Sequence, residues 1–75
     1  MPHIEIKCYP GRTEEQKTEA AKKLAEAAAE ILGCREGAIS ISIKDVPAEE
    51  WKEQVWDKEI VAEDNCIYKK PGYEM

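Results

Sequence analysis

From Pro2 to Tyr9 apolar and polar side chains alternate without a slip. Pro2, Ile4, Ile6 and Cys8 fall on one side, and His3, Glu5, Lys7 and Tyr9 on the other. A period of two with one apolar face predicts a strand lying on a core. Pro10-Gly11 stops it. The period then changes. Ala20, Ala21, Leu24, Ala28, Ile31 and Leu32 recur at spacings of three and four, the stripe of an amphipathic helix. Thr13 stands as its N-cap, with Gln16 three residues on to close a capping box. Glu14 and Glu15 suit the positive end of the helix dipole, and Gly33 is the expected C-terminal cap.

Arg35-Glu36-Gly37 reads as a turn, and residues 38–44 alternate again. Ile39, Ile41 and Ile43 share one face, and Ser40, Ser42 and Lys44 the other. Strand, long helix, strand makes a β-α-β unit, right-handed and with parallel strands. Pro47 suits the first position of a second helix, which Trp51, Val55, Trp56 and Ile60 carry to about Val61. Residues 62–65 are polar loop, 66–68 a short closing strand, and Lys69-Lys70-Pro71-Gly72-Tyr73 a turn-rich tail. The predicted class is α/β (α+β): one β-α-β unit, a short second helix and a short C-terminal strand, in a single domain over residues 1–75. Two strands and one long helix cannot cover both sheet faces, and the edges carry unpaired backbone groups. Oligomerisation is expected to complete the sheet, with a homodimer as the smallest assembly.

Composition sharpens that expectation. A chain of 75 residues buries only roughly 60% of the surface its unfolded form exposes. It has no Phe, and its three cysteines cannot all pair and show no CxxC spacing, so neither a disulfide nor a zinc framework is expected. No signal peptide is expected, because the charged segment and long apolar run it needs are absent, and no run approaches a membrane span. The expected setting is the reducing cytoplasm. A net charge of −5 argues against nucleic acid, whose phosphates need a basic face. No metal or cofactor is implied.

Chemistry-bearing residues are few. His3 is the only histidine, so no Ser-His-Asp set can be built, and no partners at metal-ligand spacing accompany it. It reads as structural or interfacial, and Cys8 as a small apolar residue. Trp51 and Trp56 read as core or interface anchors. Arg12 is one of only two arginines and falls between a strand end and a helix start, where backbone N–H groups and the dipole favour an anion. It could clamp a carboxylate with two hydrogen bonds, or simply pair with Glu14 or Glu15 on the surface. Pro2 is open in the same way. It is tolerated as a strand's first residue. With Met1 removed, however, its ring nitrogen becomes a secondary amine able to act as a base.

Taken together, Pro2, the alternation through Cys8, and Gly11-Arg12-Thr13-Glu14-Glu15-Gln16-Lys17 resemble the 4-oxalocrotonate tautomerase family, over about residues 2–46. The Pro2-His3-Ile4-Glu5-Ile6-Lys7 opening, the segment from Pro47 to Trp56 and the Lys69-Lys70-Pro71-Gly72-Tyr73 ending resemble a bacterial subgroup that tautomerises phenylpyruvate-type enols. The resemblance implies that Pro2 is the general base shuttling a proton between oxygen and carbon. It implies that Arg12 binds the substrate carboxylate, and that Trp51 takes the place of a phenylalanine keeping the site apolar. The family's second arginine falls at Ser40, so help to the substrate's 2-oxygen must come from a hydroxyl, a water or another group. A monocarboxylate bearing an aromatic group fits that change better than a dicarboxylate.

Physical chemistry accommodates these roles. A free α-amine titrates near 8 and a secondary amine starts higher. An apolar pocket and a neighbouring Arg12 both disfavour the cation and bring the amine toward the range of a working base. Arg12 is expected at a helix end facing the same strand terminus as Pro2. Two alternatives stand beside the tautomerase. One is a hydratase or dehalogenase of the same superfamily, which would want further cations where Tyr9 and Ser40 stand and a carboxylate such as Glu53. The other is a non-catalytic β-α-β binding or oligomerisation module.

Overall fold

A computed structural model describes residues 1–75 and divides them into two compact units, Met1–Asp45 and Val46–Met75. In the first, strand β1 (His3–Cys8) and strand β2 (Ser40–Asp45) pair in parallel, joined by helix α1 (Glu14–Leu32). This is the predicted β-α-β unit. The register sets His3 beside Ser40, Ile4 beside Ile41 and Ile6 beside Ile43. One face of the sheet is therefore isoleucine paired with isoleucine. The other is polar: Lys44 lies 3.2 Å and Lys7 3.4 Å from the Glu5 carboxylate.

The predicted caps of α1 are both in place. Thr13 Oγ1 accepts the Gln16 N–H at 3.0 Å, and Gln16 Oε1 accepts the Thr13 N–H at 2.8 Å. At the far end Gly33 adopts the left-handed conformation (φ 71°) and donates to the Ala29 carbonyl. Lys17 ties the helix to the end of β2 through Asp45, 3.1 Å away. That hydrogen bond raises the Lys17 ammonium above its ordinary pKa.

The helix corrects one expectation. Its half-buried positions are Lys17, Ala20, Ala21, Ala25, Ala28 and Ala29, whereas Leu24, Ile31 and Leu32 are 40%, 81% and 62% exposed. Alanines spread over more than half of this helix's circumference, so spacing alone did not fix which stripe faces inward. No residue of the first unit is buried. Its apolar face is incomplete in a single chain.

In the second unit, α2 (Ala48–Trp51) runs without a break into a π-helical segment, Lys52–Val61. The Ala62 N–H reaches back five residues to the Asp57 carbonyl at 3.1 Å. Most π-helices are single-turn bulges, so ten residues is long. The sequence explains it: Trp51, Trp56 and Val61 are spaced by five, as are Val55 and Ile60. A backbone closing every fifth residue keeps these on one side better than an α-helix does. Val55 is buried and Trp56 and Ile60 are half-buried.

The short C-terminal strand does not form. Asp64–Cys66 is a 3₁₀ turn, Ile67 is extended but pairs with nothing, and Tyr68 is fully exposed. Three residues between a polar loop and a Lys-Lys-Pro sequence are too short a run to hold a strand.

Candidate active site

The first rung of the sheet gathers three residues. Ser40 donates its backbone N–H to the Pro2 carbonyl at 3.2 Å. Its hydroxyl lies 2.7 Å from His3 Nδ1, the short end of the N–H···O range. Pro2 is half-buried, while His3 and Ser40 are exposed. The Pro2 backbone is held by β2 just after its ring nitrogen, and Met1 before it is fully exposed. The mouth of the sheet thus presents a proline, an imidazole and a hydroxyl to solvent.

Arg12 is not there. It follows the opposite end of β1, where its Nη1 donates to the Tyr9 carbonyl at 3.1 Å. Gly11, at φ 128°, makes the turn that delivers it to the start of α1. With a rise of about 3.3 Å per residue, the length of β1 puts roughly 20 Å between Pro2 and Arg12. The expectation that both face one strand terminus is corrected. A strand that leads directly into a helix places its first residue and that helix's N-terminus at opposite ends.

Trp51 lies in the second unit, and its indole N–H donates to the Tyr73 hydroxyl at 3.1 Å. The Tyr73 ring also meets Trp56, with centroids 5.3 Å apart and planes tilted by 39°. The tail thus folds back on its own helix and leaves a groove of about 520 Å³ among Trp56, Ile60, Ile67, Pro71, Tyr73 and Met75. The sequence placed Tyr73 only in a turn-rich tail, because such a tail has no periodicity to show that its ring packs on the helix before it.

Chemically, the first rung combines a backbone-fixed proline nitrogen with a neighbouring hydroxyl donor. Just before α1 stands the Arg12 guanidinium, a group able to pair with a carboxylate through two hydrogen bonds. No helix is long and apolar enough to cross a membrane.

Comparison with known proteins agrees on the kind of protein this is. A family model described as "Tautomerase enzyme" matches residues 2–55. Tautomerase PptA of Enterobacter sp. (strain 638) is 41% identical over 76 aligned positions, covering all of both chains. Tautomerase PptA of Klebsiella pneumoniae (strain 342) is also 41% identical with the same coverage. A probable tautomerase of Xylella fastidiosa (strain 9a5c) is 37% identical over 97% of this chain and 89% of its own.

Proposed function

The chain belongs to the tautomerase family, and from that premise we propose that it interconverts the enol and keto forms of a 2-oxo acid such as phenylenolpyruvate, with the Pro2 nitrogen as general base. The observation that carries the reading is the first rung. Ser40 pins the Pro2 carbonyl while Met1, the one residue that makes the proline nitrogen an amide, is fully exposed and open to removal.

Once Met1 is gone, the Pro2 nitrogen takes the proton from the enol hydroxyl and returns it to the neighbouring carbon. A positioned base of matched pKa is worth on the order of 10²–10⁴-fold. Arg12 binds the substrate carboxylate with two hydrogen bonds. Because Pro2 and Arg12 of one chain lie at opposite ends of β1, the arginine at each site comes from a second copy. The unburied first unit and the exposed Leu24, Ile31 and Leu32 support such an assembly, a homodimer at the least. Ser40 faces the substrate's 2-oxygen, and Trp51 keeps the substrate's surroundings apolar, a role that rests on the resemblance. No cofactor takes part. The enzyme works in the cytoplasm, where its free Cys8, Cys34 and Cys66 stay reduced.

Ketonisation of phenylenolpyruvate, followed by ultraviolet absorbance across pH, tests the reading. The rate should rise through one ionisation below about 8. Arg12→Ala should raise KM more than it lowers kcat. A pH-independent rate, or an Arg12→Ala enzyme with an unchanged KM, contradicts it.

A further inference from the structure

We infer that His3 is a positioning residue for Ser40, and that the two act as one hydrogen-bonding unit toward the oxygen on which charge develops. The inference rests on the tautomerase reading above and adds to it a residue with a stated role.

The register of the sheet places His3 and Ser40 side by side on its polar face, one residue from the Pro2 nitrogen. The 2.7 Å contact between His3 Nδ1 and Ser40 Oγ can run in either direction. If Ser40 donated to the ring, its proton would be spent and its oxygen would offer only lone pairs. An anionic oxygen beside it would then be repelled. If the Nδ1–H donates to Ser40 Oγ, the serine proton is left to point outward, and the donated bond polarises that hydroxyl. Only the second arrangement fits a site in which a 2-oxygen gains charge.

The proton accounting is simple. The Pro2 nitrogen removes the enol proton, charge grows on the 2-oxygen, and Ser40 Oγ–H donates a hydrogen bond to it. The same proton then passes from Pro2 to carbon, and the 2-oxygen becomes the ketone. Neither Ser40 nor His3 gains or loses a proton. The imidazole donates from Nδ1 both as the Nδ1–H tautomer and as the cation.

Both side chains are exposed, so replacing them leaves the fold in place. With phenylenolpyruvate as substrate, Ser40→Ala should lower kcat by roughly 10- to 100-fold with little change in KM, somewhat less than the 10²–10³ typical of a dedicated oxyanion donor. His3→Ala should lower kcat by about 3- to 10-fold, and the double variant should be no worse than Ser40→Ala, because His3 acts through Ser40. Ser40→Thr, which restores the hydroxyl, and His3→Asn, which restores a side-chain N–H at nearly the same place, should recover most of each loss. A Ser40→Ala kcat within about twofold of wild type, or losses that multiply in the double variant, overturns the proposal.

Pro2→Ala, measured alongside, separates the two layers. If Pro2→Ala is inactive while Ser40→Ala is not impaired, only the pair falls; if Pro2→Ala is as active as wild type, the reading beneath it falls too. A second readout needs no turnover. His3 is the sole histidine, so the ring nitrogens give a single pair of ¹⁵N signals. They should show the Nδ1–H tautomer for the neutral ring, and Ser40→Ala should shift the balance toward Nε2–H. A dominant Nε2–H form in the wild-type chain overturns the assignment.

Discussion

Pro2 and Arg12 stand at opposite ends of one strand: Pro2 opens β1, and Arg12 follows its last residue, hydrogen-bonded to the Tyr9 carbonyl. About 20 Å of extended backbone separates them. A single substrate carboxylate and the carbon beside it cannot span that distance. If both residues serve one reaction, they must come from different chains.

This leads to a complementation test. Pro2→Ala and Arg12→Ala chains, assayed with substrate well below KM so that each alone is nearly inactive, should regain activity when unfolded together and refolded as a mixture. In a dimer, half of the random assemblies are mixed, and each holds one site with both native residues. The mixture should reach about a quarter of wild-type activity. Activity no higher than the average of the two variants would mean that the site lies within one chain.

The polar face of the sheet sets an acid limit on stability. The Lys44 ammonium donates to Glu5 and, with Lys7, holds its carboxyl below the ordinary value of 4.5. A depressed folded-state pKa means that the contribution is complete above 4.5 and is lost as pH falls through the lower, folded value. Glu5→Gln should therefore be less stable than wild type near neutrality, and the two urea midpoints should converge on acidification. The difference should also shrink with added salt, because the pair is exposed. A gap that stays constant from neutral to acid pH would contradict it.

Tyr73 holds the tail on the second helix. Tyr73→Phe removes the hydroxyl that accepts the Trp51 N–H and should cost about 1 kcal/mol. Tyr73→Ala also loses the contact with Trp56 and should cost about 0.5–1.5 kcal/mol more. Thermal unfolding reads both. Equal midpoints for the two variants would remove the ring contact from the account.

These relationships differ in how visible they were in the chain. The two strands, the long helix and its caps were legible because each rests on a local rule: alternation at Pro2 to Cys8, a capping box at Thr13 and Gln16, a glycine at position 33. The π-helical segment was hidden because Trp51, Val55, Trp56 and Ile60 satisfy a loose helical spacing and only their repeat of five departs from it. Which face of α1 turns inward was hidden by its alanines. The His3–Ser40 contact depends on the register between two strands 37 residues apart, which no local pattern states. Pro2, Arg12 and Ser40 could be nominated singly, but their grouping is a property of the topology.

The central claim is that the secondary amine of Pro2 is the base, and its nitrogen can be switched without touching any side chain. Two preparations should be compared, one with Met1 removed and one retaining it, each verified by intact mass and matched in circular dichroism. The account predicts rapid ketonisation of phenylenolpyruvate by the Pro2-terminal chain. It predicts a loss of roughly 10²-fold or more when Met1 keeps that nitrogen an amide. Equal rates from the two preparations would contradict it.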